Sequence, residues 1–203
     1  MRKMNVTRRS FIGKVAATAA CGLLPGIPAF AAGLDIPPPV RTDSRLDKLV
    51  PFIEPYLDLY NPNTDERQRV LFFGTAGYDL KGLQTINYLL RDWRQKQVVQ
   101  MDVRLYWALA AMRTAARRDG LSGEIQVNSG YRSRKTNDLL RAEGYGAAVN
   151  SFHTRARAID FVVKGGDVAN VAEYAQWLQI GGTGHYRGRF VHIDSGDQRV
   201  WFG

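Results

Sequence analysis

The sequence contains very little cysteine and lacks long apolar runs. Its 203 residues include one cysteine, Cys21, so a disulfide within the chain is excluded. The weakly apolar run over residues 15–24 is far shorter than the roughly 20 residues that span a bilayer. We therefore expect no transmembrane segment in the mature chain. Histidine is also scarce and occurs three times, as His153, His185 and His192.

Acidic residues are missing from the N-terminus, and this raises the net charge of the chain. The first 31 residues contain five of the 28 lysines and arginines and none of the 19 acidic residues. Without this segment, 23 basic residues face 19 acidic ones, and the formal net charge falls from +9 to +4. So mild an excess suits an acidic polymer or a solvated surface. We expect no nucleic acid among the partners.

The N-terminal segment resembles a twin-arginine export signal. Residues 7–14 read Thr-Arg-Arg-Ser-Phe-Ile-Gly-Lys, an apolar stretch follows, and a small-residue cleavage motif ends at Ala31. This order predicts that residues 1–31 direct export to the periplasm through the twin-arginine machinery. One alternative is a basic amphipathic N-terminus that stays attached. Another is a lipid anchor at Cys21, which is disfavoured because Thr18 occupies the place of a large aliphatic residue.

Prolines are concentrated between the signal and the rest of the chain, with three in a row at residues 37–39. Because proline fixes the backbone and removes a hydrogen-bond donor, the sequence predicts an extended proline-rich arm over residues 32–64. Residues 65–203 are then predicted to form the folded domain that carries the site described below. The hydrophobic content of 45% and the aromatic content of 11% are typical of a globular protein.

Hydrophobic periodicity in residues 65–203 predicts helices mixed with short strands. The predicted helices cover residues 83–93, 105–116, 133–143 and 168–178, and the predicted strands cover residues 69–73, 125–128, 158–163, 183–186, 190–194 and 200–202. Helices packed on a small antiparallel sheet form an α+β domain, which is the fold class that we expect.

Two of the three histidines lie near carboxylates at spacings suited to a metal site. His153 precedes a predicted strand that carries Asp160, whereas His192 and Asp194 point to one face of another strand. Histidine nitrogen and carboxylate oxygen are usual zinc ligands, and a catalytic zinc keeps three protein ligands and one open position. If the two strands are neighbours, His153, Asp160 and His192 can converge. Spacing alone leaves open a surface or hydrogen-bonding role for each histidine.

His185 is a further candidate for this site. If Arg187 and Gly188 form a two-residue hairpin turn, His185 pairs with Phe190 and shares a face with His192.

Three motifs together resemble a known family. They are Ser-x-His-x-x-x-x-Ala-x-Asp over residues 151–160, Ser-Gly-Tyr-Arg-Ser over residues 129–133, and Phe-Val-His-Ile-Asp over residues 190–194. This pattern resembles the zinc D,D-carboxypeptidase and murein endopeptidase family (peptidase M15-like), and most closely its murein endopeptidase K branch. The similarity covers about residues 65–203. It implies the zinc fold that hedgehog domains and D,D-peptidases share.

The resemblance implies a role for each residue of these motifs. His153, Asp160 and His192 would bind Zn²⁺, and Arg132 would face the scissile carbonyl and stabilise the oxyanion. The alternative for Arg132 is a structural arginine that ties its loop to a carboxylate. Ser151 would hydrogen-bond a ligand.

Two positions depart from the family pattern. Many relatives have glycine where Ala156 stands. Better-studied branches carry an acidic general base three residues before the last histidine, where this chain has Arg189. The general base is therefore unassigned. The first candidate is Asp194, which shares a face with His192, and the second is His185.

The function that the resemblance implies is that of a zinc metallopeptidase acting on peptidoglycan. Its substrates would be cross-links between stem peptides, D-alanyl to diaminopimelate or diaminopimelate to diaminopimelate, cleaved during cell-wall remodelling. One alternative is a catalytically inactive, zinc-containing peptidoglycan-binding protein. Another is a lytic or structural envelope protein without a metal.

Overall fold

The computed structural model describes residues 43–203 of the chain. The predicted export signal with Cys21, and the first part of the predicted proline-rich arm, lie outside the described residues. Within residues 43–203, no helix has both the length and the apolar character needed to cross a membrane.

The described residues form five α-helices, nine β-strands and two short 3₁₀ helices. The α-helices are α1 (Arg45–Leu49), α2 (Leu80–Leu89), α3 (Val103–Arg118), α4 (Arg134–Ala142) and α5 (Val168–Leu178). The strands are β1 (Tyr56–Asn61), β2 (Glu66–Leu71), β3 (Phe73–Gly74), β4 (Gly77–Tyr78), β5 (Ile125–Ser129), β6 (Ala158–Val163), β7 (Gly182–Tyr186), β8 (Phe190–Asp194) and β9 (Arg199–Phe202). The 3₁₀ helices are Val50–Phe52 and Phe152–Arg155.

Seven strands form one mixed sheet in the order β2-β1-β5-β6-β8-β7-β9, while β3 and β4 form a separate pair. The predicted α+β class is confirmed. The sheet is larger than expected and includes two parallel pairs, β1 with β5 and β7 with β9. Parallel strands need a crossover connection, and α2 and α3 provide it between β1 and β5.

The described part of the predicted proline-rich arm, residues 43–64, differs from the prediction, because β1 is an interior strand of the main sheet. Its Leu57 and Leu59 point into the core and are 0% and 2% exposed. The prolines around it interrupt no ladder. Pro51 lies in the first turn of a 3₁₀ helix, and Pro55 precedes the strand. The missing N–H of proline is tolerated at such positions.

Alternation along β6 and β8 separates the core from a polar face. Ile159 and Phe161 of β6, like Val191 of β8, belong to the apolar core that includes residues of α3 and α5. Successive side chains of a strand point to opposite faces, so Asp160 and His192 share the other face. This face of β6 and β8 therefore carries the polar side chains Asp160 and His192.

The hairpin between β7 and β8 differs from the predicted register. The predicted two-residue turn would place Thr183 opposite His192, but Gly184 occupies that position. The loop contains residues 187–189, with Gly188 at a φ of +66°. Hairpins with three-residue loops commonly use such a left-handed residue. One additional loop residue shifts the pairing by one position, which turns His185 to the face opposite His192.

Candidate metal centre

Three predicted ligand residues meet at the polar face of β6 and β8. Asp160 and His192 lie directly opposite each other in the antiparallel pair. His153 reaches the same point from the 3₁₀ helix Phe152–Arg155. Asp160 Oδ1 lies 3.2 Å from His153 Nε2 and 2.7 Å from His192 Nδ1, and the two nitrogens are 3.3 Å apart. One potential ligand atom from each residue therefore faces a common point.

The chain curls between His153 and Asp160 because the 3₁₀ helix ends in a left-handed residue. Ala156 has φ 57° and ψ 31°, and its carbonyl accepts a hydrogen bond of 2.9 Å from the Asp102 N–H. Glycine adopts this conformation without the clash that a Cβ causes. The backbone thus supplies a physical reason why glycine suits this position in relatives. Ser151 begins the same helix and accepts a hydrogen bond from the His153 N–H at 3.3 Å.

The partners of the two histidines determine which ring nitrogens carry hydrogen. His153 Nδ1 lies 2.7 Å from the Gly130 carbonyl oxygen, which can only accept, so Nδ1 donates and Nε2 is left with its lone pair. His192 Nε2 lies 3.2 Å from Asp194 Oδ2. A proton on Nε2 is donated to this carboxylate, and the neutral ring then has its lone pair on Nδ1, 2.7 Å from Asp160 Oδ1. Burial acts to lower the pKa of His192, but hydrogen bonds to Asp160 and Asp194 outweigh it and raise that pKa.

With both rings neutral, three acceptor atoms face one another, an arrangement that repels unless a proton or a metal ion lies among them. Burial lowers the pKa of His153, which favours the neutral, metal-binding imidazole. Burial acts to raise the pKa of Asp160, but His153 and His192 outweigh it and hold that pKa well below its usual range. Tetrahedral zinc with Zn–N bonds of about 2.0–2.1 Å needs ligand atoms roughly 3.3 Å apart. The residues present therefore fit a small divalent metal.

Asp194 does not fit the predicted role of proton acceptor. The residue is 0% exposed, and Arg199 donates to both of its oxygens at 2.6 and 3.0 Å. The N–H groups of Gly182 and Gly196 donate to Oδ1 as well. Burial acts to raise the pKa of Asp194, but hydrogen bonds from His192 and Arg199 prevail and bring it to about 2. Its geometry is that of a group that orients His192.

His185 does not belong to this site, which corrects the second candidate for the base. Its ring packs 5.8 Å from that of Phe202 and lines a groove beside α5 on the other face of the sheet. The physical reason is the loop length of the β7–β8 hairpin. Neither predicted base is therefore placed to accept a proton from a molecule in the cleft.

Arg132 lines the cleft around the three ligand residues, where it also binds the Asp160 carboxylate. Its Nη2 donates to Asp160 Oδ2, and its Nε donates to Ser129 Oγ at 2.7 Å. The side chain is 15% exposed. Both predicted roles are thus compatible with its position, because Nη1 makes no hydrogen bond with the described residues.

An open cleft of about 500 Å³ surrounds the three ligands. The loop after α4, with Tyr145, forms one wall, and the β7–β8 hairpin forms the other. The sequence-based prediction missed three supporting groups: the Gly130 carbonyl, Arg199, and the Trp201 ring, whose centre lies 5.1 Å from that of His192. Gly130 belongs to the Ser-Gly-Tyr-Arg-Ser motif over residues 129–133, so the sequence pattern did mark this position as part of the site. The spacing of Arg199 and Trp201 gave no comparable signal.

This fold and its His–Asp–His centre define a peptidase of the M15 metallopeptidase class. The family described as peptidoglycan L,D-endopeptidase MepK matches residues 54–201, and the chain belongs to that family. It is 34% identical to the peptidoglycan L,D-endopeptidase MepK of Escherichia coli strain K12 over 205 residues, 99% of this chain and 100% of the relative. It is 38% identical to the probable peptidoglycan L,D-endopeptidase MepK of Haemophilus influenzae over 149 residues, 72% of this chain and 78% of the relative. The resemblance seen in the sequence is confirmed, and the chain is a metallopeptidase by family.

Proposed function

We propose that the protein is a zinc-dependent peptidoglycan L,D-endopeptidase. The convergence of His153 Nε2, Asp160 Oδ1 and His192 Nδ1 in an open cleft carries this proposal. The relatives are named as L,D-endopeptidases. A bond between D-alanine and diaminopimelate joins two D centres, whereas a diaminopimelate–diaminopimelate bond joins an L to a D centre. Of the two predicted cross-links, the second is therefore the favoured substrate.

Zinc is the favoured metal because of the donor set. Two imidazole nitrogens and one carboxylate oxygen form the three-ligand set of catalytic zinc sites, which leaves a position for water or substrate. When bound, the metal would supply Lewis-acid polarisation and an activated water.

The chain's own residues hold the site and the substrate. Gly130 and Asp194 fix the two imidazole rings, which keeps the unprotonated nitrogens aimed at one point. Arg132 lines the cleft and its Nη1 makes no hydrogen bond with the described residues, so Nη1 can donate to the peptide oxygen as negative charge develops. Tyr145 also lines the cleft and is exposed there, so it can contact an entering stem peptide.

The test combines metal analysis with digestion of purified sacculi. We expect protein isolated from the periplasm to contain zinc in equimolar amount and to release products from diaminopimelate–diaminopimelate dimers. A chelator should stop the release, and added zinc should restore it. His153→Ala and His192→Ala should lose both zinc and activity. Cleavage that persists after complete removal of metal would contradict the proposal.

The second candidate is a zinc-containing peptidoglycan-binding protein without activity. One observation favours it: among the described residues, the lining of the cleft includes no carboxylate other than Asp160. Such a protein would bind sacculi with its zinc in place and release no muropeptides over long incubation.

We further propose that the protein acts in the periplasm after twin-arginine export. The paired arginines in residues 7–14 and the cleavage motif that ends at Ala31 support this proposal. Replacing Arg8 and Arg9 by lysine should leave the protein in the cytoplasmic fraction. Unchanged recovery from the periplasmic fraction would contradict the assignment.

A further inference from the structure

The charged groups of the cleft are almost all paired with one another. Arg132 is bound to Asp160, and Arg199 is bound through two nitrogens to Asp194. Arg189 lines the same cleft and forms neither an ion pair nor a side-chain hydrogen bond with any residue in the range 43–203. Arg189 thus presents a guanidinium that uses none of its donors within residues 43–203, whereas Arg132 and Arg199 are each committed to a carboxylate.

Arg189 is presented by a well-defined hairpin. Its backbone N–H donates to the Tyr186 carbonyl at 2.9 Å, which closes the loop. The rings of Tyr186 and Phe190 stack with centres 4.3 Å apart across the base of this loop, and the guanidinium carbon lies 5.6 Å from the centre of the Phe190 ring. These contacts hold the start of the side chain at the wall of the cleft while its end remains exposed.

We propose that Arg189 binds a free carboxylate of the diaminopimelate next to the scissile bond, and that it makes the enzyme selective for cross-links in which this carboxylate is not amidated. The inference rests on the proposed function. Diaminopimelate has two carboxyl groups, and a cross-link uses at most one of them in the bond that is cut. The planar guanidinium fork matches a carboxylate with two parallel hydrogen bonds, and a carboxamide offers one acceptor and no charge.

The charges around the site agree with an anionic ligand. Arg132, Arg189 and Arg199 line the cleft, and their carboxylate counterparts are Asp160 and the buried Asp194. A divalent metal adds further positive charge at the same place. An anionic stem peptide is therefore attracted, and Arg189 is the cleft arginine whose side-chain donors are all free of hydrogen bonds with the described residues.

The test compares Arg189→Gln with Arg187→Gln on two matched substrates. Arg187 is in the same loop but lines the groove on the other face of the sheet, so it provides the control. The substrates are diaminopimelate-linked muropeptide dimers whose free carboxylates are either intact or amidated. For Arg189→Gln we expect KM to rise roughly 10- to 100-fold on the free-carboxylate dimer with kcat nearly unchanged, because a charge-assisted hydrogen bond is lost. On the amidated dimer the variant should match the wild type, and Arg187→Gln should match it on both.

A binding measurement separates this inference from the proposed function. Titration of the metal-depleted protein with the intact dimer needs no cleavage, so it reports on Arg189 even if no dimer is hydrolysed. Weaker binding of the free-carboxylate dimer alone in Arg189→Gln, with partial recovery in Arg189→Lys, supports the inference. Equal losses on both dimers, or no loss on either, would overturn it. Dimers amidated at one carboxylate at a time identify which side of the bond Arg189 reads.

Discussion

The role of Asp194 shows how its partners determine the chemistry of a single carboxylate. A general base needs an oxygen that faces the reacting water and a pKa near the working pH. The oxygens of Asp194 instead accept from Arg199, from His192 and from two backbone N–H groups. With a pKa of about 2, it stays ionised at neutral pH and holds the His192 ring by Nε2. Its geometry therefore lets it act through the orientation of His192.

Asp194→Asn distinguishes a positioning residue from a base. The amide weakens the hold on His192 and leaves Arg199 without its counter-ion, so we expect metal affinity to fall about 10- to 100-fold. Activity should fall at low zinc and recover at high zinc, because no proton acceptor has been removed. Zinc titration of activity and of metal content measures both effects.

Asp197→Asn provides the matched control for this experiment. Asp197 is exposed and its side chain makes no hydrogen bond or ion pair with the described residues, so its variant should retain wild-type zinc affinity. If Asp194→Asn bound zinc normally and lost activity at every zinc concentration, the carboxylate would act in the reaction itself, and the positioning role would be wrong.

At the level of elements, the end of α2 supports the metal centre through Gly130. The Leu90 carbonyl accepts a hydrogen bond of 2.8 Å from the Tyr131 N–H, which fixes the segment whose Gly130 carbonyl holds His153. A Cβ on Gly130 would clash with the Leu90 carbonyl oxygen and would lie 2.9 Å from the Leu90 Cβ. Because the carbonyl oxygen and carbon of Leu90 are backbone atoms, a change of side-chain rotamer cannot relieve this clash.

Gly130→Ala should therefore destabilise the fold and disturb the metal site together. We expect the free energy of unfolding to fall by about 1–3 kcal/mol, as for other overpacked sites, and zinc affinity to fall with it. Chemical denaturation and zinc titration measure the two effects. Gly74→Ala is the control, since nothing lies within 4 Å of its added Cβ and stability should hardly change. Unchanged zinc affinity in Gly130→Ala would show that the carbonyl does not position His153.

Local signals predicted most elements, whereas the orientation of His185 depended on a detail that they do not specify. Asp102, Ser133 and Asp167 cap α3, α4 and α5, because a side-chain oxygen there satisfies a free backbone N–H. A hairpin's register instead depends on its loop length, and Arg-Gly-Arg is compatible with two or three residues. One residue of difference moved His185 to the other face. Proline density likewise concealed β1, although Leu57 and Leu59 already alternated with polar residues.

For the whole molecule, the segment before residue 65 is structurally required. β1 lies between β2 and β5, so its removal leaves two unpaired strand edges. Arg113 of α3 is 1% exposed and forms ion pairs with Asp58 at 2.7 Å and with Glu54 at 3.1 Å. Both partners precede residue 65. Their loss leaves a buried guanidinium without its counter-ions, a change that typically destabilises by about 3–5 kcal/mol.

A chain shortened to residues 65–203 should therefore lose cooperative unfolding, whereas a chain of residues 43–203 should keep it because it retains β1 and both partners of Arg113. Circular dichroism during heating measures both. Arg113→Met in the 65–203 chain separates the two causes, because it removes the uncompensated buried charge without restoring β1. If this variant still lacks a cooperative transition, the missing strand is decisive. A cooperative transition of the 65–203 chain at the same midpoint would instead show that β1 is dispensable and that the domain begins at residue 65.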